Sequence, residues 1–178
     1  MQIIQHGTFI EIAGKGVLLT GPSQIGKSEI ALSLIERGHR LIADDYVILQ
    51  KKHNTIVGYC QPEFEGFLAI RDLGIINVIK LFGRQAISVH SELTLIINLT
   101  SFNEQQAAIC NNASLEGSLD MQTLMNVNIP QQTFMMAPNR NLITLIETSV
   151  QIQQLRESGY DAPTDFISKQ RCLIDNKT

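Results

Sequence analysis

Apolar and polar positions change their period several times along the chain, and each change marks an element. TFIEIA and GVLLT are two β-rich runs around Gly14, Lys15 and Gly16, a hairpin pattern. The spacing then turns helical at Ile30, Ala31, Leu34 and Ile35. It closes on Arg37 and Gly38, a cationic last turn followed by a glycine suited to the C′ position. A strand, a glycine-bounded turn and a helix are therefore predicted over residues 16–38. LIADDYVIL has the apolar content of a buried strand interrupted by Asp44 and Asp45. Carboxylates are costly inside a sheet, so the pair is expected at a strand end that faces a site. TIVGYC predicts a short strand, and LTLIINL the strongest strand of the chain. QPEFEGFLAIRDLGIINVIKLFG, with its several glycines, reads as a loop leading into structured backbone.

Between Thr100 and Gln132 the sequence turns polar and rich in Asn and Gln, which predicts irregular or mobile structure over 100–132. After a turn at Pro138–Asn141, LITLIE reads as a strand and SVQIQQLRESG as an amphipathic helix stopped by Gly159. Residues 172–178 read as a tail. The alternation of strands and helices predicts an α/β fold, a central mixed β-sheet flanked by helices.

At 178 residues and 44% hydrophobic content, the chain suits one core, so residues 1–178 are read as a single domain. Lys and Arg total 14 against 17 acids, a net charge of −3. No block of like charge suggests a nucleic-acid stripe or a membrane-surface helix, so the expected partner is a protein or a small molecule, with no nucleic acid and no membrane. No apolar run approaches the roughly 18 residues of a membrane span, and MQIIQHGTFI lacks the basic and apolar regions of a leader. A soluble, cytoplasmic protein is expected. Cys60, Cys110 and Cys172 are odd in number and scattered, which fits neither a disulfide framework nor a Cys-x-x-Cys metal site and predicts free thiols in a reducing compartment.

Residues 21–28 carry the first chemistry. GPSQIGKS is a full G-x-x-x-x-G-K-[ST] phosphate loop, with a strand before it and a helical pattern after it. Gly21 and Gly26 allow backbone conformations that turn successive N–H groups onto phosphate oxygens, with Pro22, Ser23, Gln24 and Ile25 forming the arch between them. The helix beginning near Lys27 adds its positive dipole end. Lys27 supplies an ammonium for the outer phosphates, and the Ser28 hydroxyl is suited to ligate Mg²⁺. ATP and Mg²⁺ are the expected ligands. Glu29 is accounted for by the first helical turn, where its charge suits the dipole.

Asp44 and Asp45 follow Lys27 by 17 and 18 residues, one helix and one strand later, so a crossover can return them to the loop. If they alternate as in a strand, one can hold the metal or its water while the other faces the substrate. An aspartate there could accept a hydroxyl proton during phosphoryl transfer. No N-K-x-D guanine-reading motif is present, which argues against a GTPase.

H-G-x-x-x-x-I-x-G-x-G-V-L-L-T-G-x-S-x-I-G-K-S-E, then L-x-x-R-G-H-R-L-I-A-D-D, then I-R-D-L-G-I-I-N-V, together resemble the catalytic domain of the HPr kinase/phosphorylase family. The likeness runs from His6 to about Phe82 and returns at PNRNLITLIE. It implies a phosphate-loop kinase domain that phosphorylates a serine of the phosphocarrier protein HPr or a paralogue, regulating carbohydrate uptake, and can remove the phosphate by phosphorolysis. It further implies a short form without the family's N-terminal domain, and a homo-oligomer, a hexamer, in which the helix near Val150–Ser158 could meet a neighbour. By resemblance, Gly21–Ser28 is the nucleotide loop, Lys27 its catalytic lysine and Ser28 a Mg²⁺ ligand. Asp45 is the proton acceptor with Asp44 beside it, His6 is an active-site histidine, Arg71 serves both directions, and Arg140 with Asn141 lies in the segment linked to dephosphorylation. His6 has this role by resemblance alone; its own surroundings in the sequence read as a strand start.

Three departures accompany the likeness. Where the family has a second metal-binding glutamate, this chain has Ala69, for which Glu63 or Glu65 would have to substitute. No arginine occurs between Arg84 and Arg140, although the family has one after the LTLIINL strand. The family's R-P-G-R-N is APNRN here. The alternative expectation is therefore a nucleotide-binding regulatory module with weakened or lost transfer.

Overall fold

The structure is a computed structural model and describes residues 1–101 and 119–175. Its strands are β1 (Gln2–His6), β2 (Thr8–Ile12), β3 (Lys15–Thr20), β4 (Arg40–Ala43), β5 (Tyr46–Lys52), β6 (Thr55–Tyr59), β7 (Phe67–Ile70), β8 (Gly74–Asn77), β9 (His90–Thr100), β10 (Leu119–Leu124) and β11 (Val127–Met135). Its helices are α1 (Lys27–Glu36), α2 (Val78–Phe82), α3 (Leu142–Glu157) and α4 (Ala162–Asp175).

The predicted hairpin and the helix after it form as β2, β3 and α1, with α1 ending before Gly38. A nine-stranded mixed sheet runs in the order β1-β5-β6-β9-β3-β2-β4, with the β10–β11 hairpin joined to β9 through β11. β9 is its spine. One edge pairs in parallel with β3; the other pairs with β6 through His90–Glu92 and, in parallel, with β11 from Ile96 onward. β7 and β8 stand apart as a two-stranded hairpin.

The sheet separates two cores. On one face Ile10, Leu19 and Leu41 pack with Ile30 and Leu34 of α1 and with Ile146 and Val150 of α3. On the other, Phe9, Leu18, Ile42 and Ala43 pack with Val47, Leu49 and Ile56 of the curled half of the sheet and with Ile129 of β11.

A bulge decides where the two aspartates point. In the β2–β4 pair, Phe9 is opposite Ala43 while Ile10 is opposite Leu41, so Ile42 is an extra residue. Ile42 and Ala43 consequently face the same core, although they are consecutive. Regular alternation would have sent Asp44 to that face as well; the bulge restores it to the face of Leu41, which α1 covers.

Three sequence readings are corrected. LITLIE is the first turn and a half of α3 rather than a strand: the Asn141 side chain accepts a hydrogen bond from the Thr144 N–H, and the helix continues unbroken to Glu157. An N-terminal cap and the burial of Leu142 and Ile146 override the β-branched content. Within the segment expected to be irregular, residues 119–132 lie in β10 and β11, paired from Leu119 opposite Gln132 to Leu124 opposite Val127; positions 102–118 lie outside the described residues. Residues 172–175, assigned to a tail, belong to α4. LIADDYVIL meets its expectation: the acids interrupt it at the end of β4, and Asp45 adopts a left-handed backbone, φ 62°, that breaks any extended run before β5.

Candidate active site

The phosphate loop leaves β3 at Thr20 and enters α1 at Lys27. Gly21 has φ 136°, and a Cβ there would collide with the carbonyl oxygen of Leu99 on neighbouring β9, so only glycine lets the loop pass. α1 begins on Gly26 with no side chain capping its N–H groups, and Gly26, Lys27 and Ser28 line a cavity of about 360 Å³. Free helical N–H groups opening into a cavity favour an anion.

Lys27 is buried at 6% exposure, and its Nζ donates to the carbonyl oxygens of Gly21 at 3.2 Å and Pro22 at 2.9 Å. No carboxylate pairs with it among the described residues. A buried ammonium is costly without a counter-charge, so a site that keeps one is built for an anion from outside the chain.

Asp44 sits behind the loop. Its Oδ1 accepts from the Thr8 hydroxyl at 2.7 Å, its Oδ2 accepts from the Ala69 N–H at 3.1 Å, and the Ser28 hydroxyl lies 3.2 and 3.1 Å from the two oxygens. Burial raises the Asp44 carboxyl above its ordinary range; the bonds from Thr8 and Ala69 oppose this, neighbouring Asp45 adds to it, and the Ser28 bond opposes it again. The Ser28 hydroxyl and the Asp44 carboxylate are hard oxygen donors of the kind Mg²⁺ takes.

Asp45 is exposed and lines the cavity. Its carbonyl accepts from the Gly7 N–H at 3.2 Å and lies 3.1 Å from His6 Nδ1, with its carboxylate at 3.9 Å from the same nitrogen. A carbonyl can only accept, so this contact places the imidazole proton on Nδ1. A Cβ on Gly7 would come within 2.6 Å of the Leu19 carbonyl oxygen, which reserves the position for glycine. The segment His6-Gly7-Thr8 thus clasps both aspartates, through the side chain of Asp44 and the backbone of Asp45.

Arg71, in the turn between β7 and β8, lines the same cavity, so His6, Lys27, Ser28, Asp45 and Arg71 converge from separate segments. Ser23 and Gln24 line it as well, the latter at φ 64°. Arg140 does not join them: its guanidinium lies over the Phe134 ring, 5.7 Å from the centroid, and reaches the Met135 carbonyl at 3.4 Å. Asn141 is occupied in capping α3. Glu65 pairs with Arg84 and lines a separate cavity of about 300 Å³, so it is not placed to replace a glutamate at position 69. Burial lifts the Cys60 thiol in that second cavity to about 11, which keeps it protonated and unreactive.

Sequence reasoning passed over three groups: Glu29, which lines the cavity; the Ala69 N–H; and Thr8. The one available signal for Thr8 was a hydroxyl at the head of a fully buried strand, where a partner is obligatory.

Known proteins resemble this chain over nearly its whole length. Residues 1–170 match the family described as HPr Serine kinase C-terminal domain. The chain belongs to that family. Among relatives, HPr kinase/phosphorylase of Leptospira biflexa is 37% identical over 176 residues, covering 98% of this chain and 54% of the relative. That of Lactobacillus acidophilus is 41% identical over 170 residues, covering 95% and 52%. The chain therefore spans about half the length of the curated relatives it matches. The structure of the Hpr(Ser) kinase/phosphatase from Coxiella burnetii superposes with a TM-score of 0.79 at 35% identity, covering 92% of this chain and 98% of that one. The family fold is thus the α/β architecture expected from the sequence. Among the described residues, no helix is long and apolar enough to cross a membrane.

Proposed function

We propose that the chain is an ATP-dependent protein-serine kinase acting on an HPr-type phosphocarrier. The observation that carries this reading is the convergence of Lys27, Ser28, Asp45, His6 and Arg71 on one cavity. Lys27 and the free N–H groups of α1 hold the outer phosphates of ATP, and Ser28 with Asp44 holds Mg²⁺, which when bound neutralises charge on the phosphates. Asp45, exposed in the cavity and steadied by His6 and Gly7, accepts the seryl proton. The seryl oxygen forms its bond to the γ-phosphorus as the bond to the β–γ bridging oxygen breaks, leaving ADP. Arg71 supplies positive charge to the cavity from the β7–β8 turn, where it stabilises the transferring group.

Incubation with γ-labelled ATP, Mg²⁺ and purified HPr tests the reading: label on an HPr serine supports it. Tight nucleotide binding without transfer refutes it and favours a second reading, a regulatory nucleotide-binding module, which Ala69 favours by removing a metal carboxylate. The family resemblance extends the proposal to phosphorolysis and to a hexamer, tested respectively by pyrophosphate formation from phospho-HPr and by sedimentation.

A further inference from the structure

β2 is buried throughout, and its alternation sends Phe9 to one core and Ile10 and Ile12 to the other. Thr8 falls on the Ile10 face, at 0% exposure, where an aliphatic residue would pack as well. A buried hydroxyl is retained at a net cost unless its hydrogen bond matters. The bond it makes is short, 2.7 Å, and its acceptor is Asp44 Oδ1. The β4 bulge is what places this acceptor within reach, since Phe9 opposite Ala43 sets Thr8 opposite Asp44. Asp44 in turn receives the Ser28 hydroxyl and the Ala69 N–H. With alanine at position 69, the Asp44 carboxylate is the acid in contact with Ser28, and its orientation rests on donors around it.

We infer that Thr8 is a positioning residue for the divalent cation: its hydroxyl fixes the rotamer of Asp44 so that the carboxylate and Ser28 present oxygens to one ion. Thr8 touches neither nucleotide nor metal. This rests on the proposed nucleotide site but not on the identity of the phosphate acceptor. Partners that orient a metal-binding carboxylate typically contribute about 10- to 100-fold in metal affinity.

The test uses the full chain, Mn²⁺ as the probe ion followed by electron paramagnetic resonance, and a non-hydrolysable ATP analogue, without HPr. Thr8→Val keeps the shape and removes the hydroxyl; Thr8→Ser keeps the hydroxyl. The expected result is an unchanged analogue affinity in EDTA for both variants. Thr8→Val should need roughly ten-fold more Mn²⁺ or above for half-saturation, and Thr8→Ser should return close to wild type. Wild-type Mn²⁺ affinity in Thr8→Val overturns the inference. So does an equal loss of analogue binding in EDTA, which would mark Thr8 as a packing residue. A chain that bound analogue and Mn²⁺ as described but left HPr unlabelled would remove the kinase proposal and leave the role of Thr8 standing.

Discussion

The Nδ1 of His6 lies 3.1 Å from the backbone carbonyl of Asp45, closer than to the Asp45 carboxylate at 3.9 Å. The histidine therefore steadies the turn that carries Asp45 more directly than it neutralises the acid. That turn needs holding, because a non-glycine residue at φ 62° is in a sparsely populated conformation. The Asp45 side chain is thereby left available for the role proposed for it.

Asp45→Asn should accordingly leave nucleotide affinity within about two-fold of wild type and lower transfer to HPr by roughly 10²- to 10⁴-fold, the range for loss of a general base. Parallel calorimetry and phosphotransfer measurements check this. A variant that retained wild-type turnover would show that the seryl proton goes elsewhere.

Lys27→Ala should weaken nucleotide binding by on the order of 100-fold, the loss of charge-assisted hydrogen bonds to phosphate, while the circular dichroism spectrum is preserved. Removing a buried cation that has no carboxylate partner among the described residues is also expected to raise the unfolding midpoint in the absence of nucleotide. Higher stability together with lost binding is the signature to look for in urea titrations.

Ala69 lines the cavity while its N–H donates to Asp44, so a longer side chain at this position has an opening beside the Ser28 and Asp44 oxygens. Ala69→Glu should lower the Mg²⁺ concentration needed for half-maximal nucleotide binding by about ten-fold, since an added carboxylate is the strongest ligand such a site can gain. An unchanged Mg²⁺ requirement would show that the alanine costs the chain no metal affinity.

Stability should depend on pH through Glu147, which joins α3 to the end of α1. Arg37 donates to it at 2.8 and 2.7 Å, and His39 Nε2 lies 2.9 Å away. The hydrogen bonds from Arg37 hold the Glu147 carboxyl below the usual glutamate range; burial opposes this and His39 reinforces it. A depressed carboxyl stabilises the fold fully above the unfolded value, and the contribution disappears as pH falls through the folded one. Glu147→Gln should therefore cost about 1 kcal/mol near neutrality, and the gap between variant and wild type should close below about pH 4. Urea midpoints measured across that window decide it; parallel curves would exclude the role.

The phosphate loop was legible because all its determinants are local: a strand, two glycines at fixed spacing, a lysine and a helical stripe. The aspartates were legible as a pair near the loop, but their division of labour was not. Strand alternation was the available argument, whereas the bulge at Ile42 and the left-handed turn at Asp45 set their directions. Both features depend on residues far off in the chain: the bulge on β2, whose Phe9 meets Ala43 from 34 positions away, and the turn on Gly7, whose N–H reaches the Asp45 carbonyl from 38 positions away. His6 was legible through the family likeness alone, for the same reason. LITLIE misled because its composition favours a strand while its fate was settled by the Asn141 cap and by what it packs on.

β9 is bonded to β3 along one edge and divides the other between β6 and β11. Neither half of the sheet can peel away without exposing this strand, so the two cores should melt as one cooperative unit rather than in stages. The amides of Ile96 and Ile97, held between strands that are distant in the chain, should exchange with solvent only through global unfolding. Because their pairings close long loops, folding should be slow beside that of a helical protein of equal size.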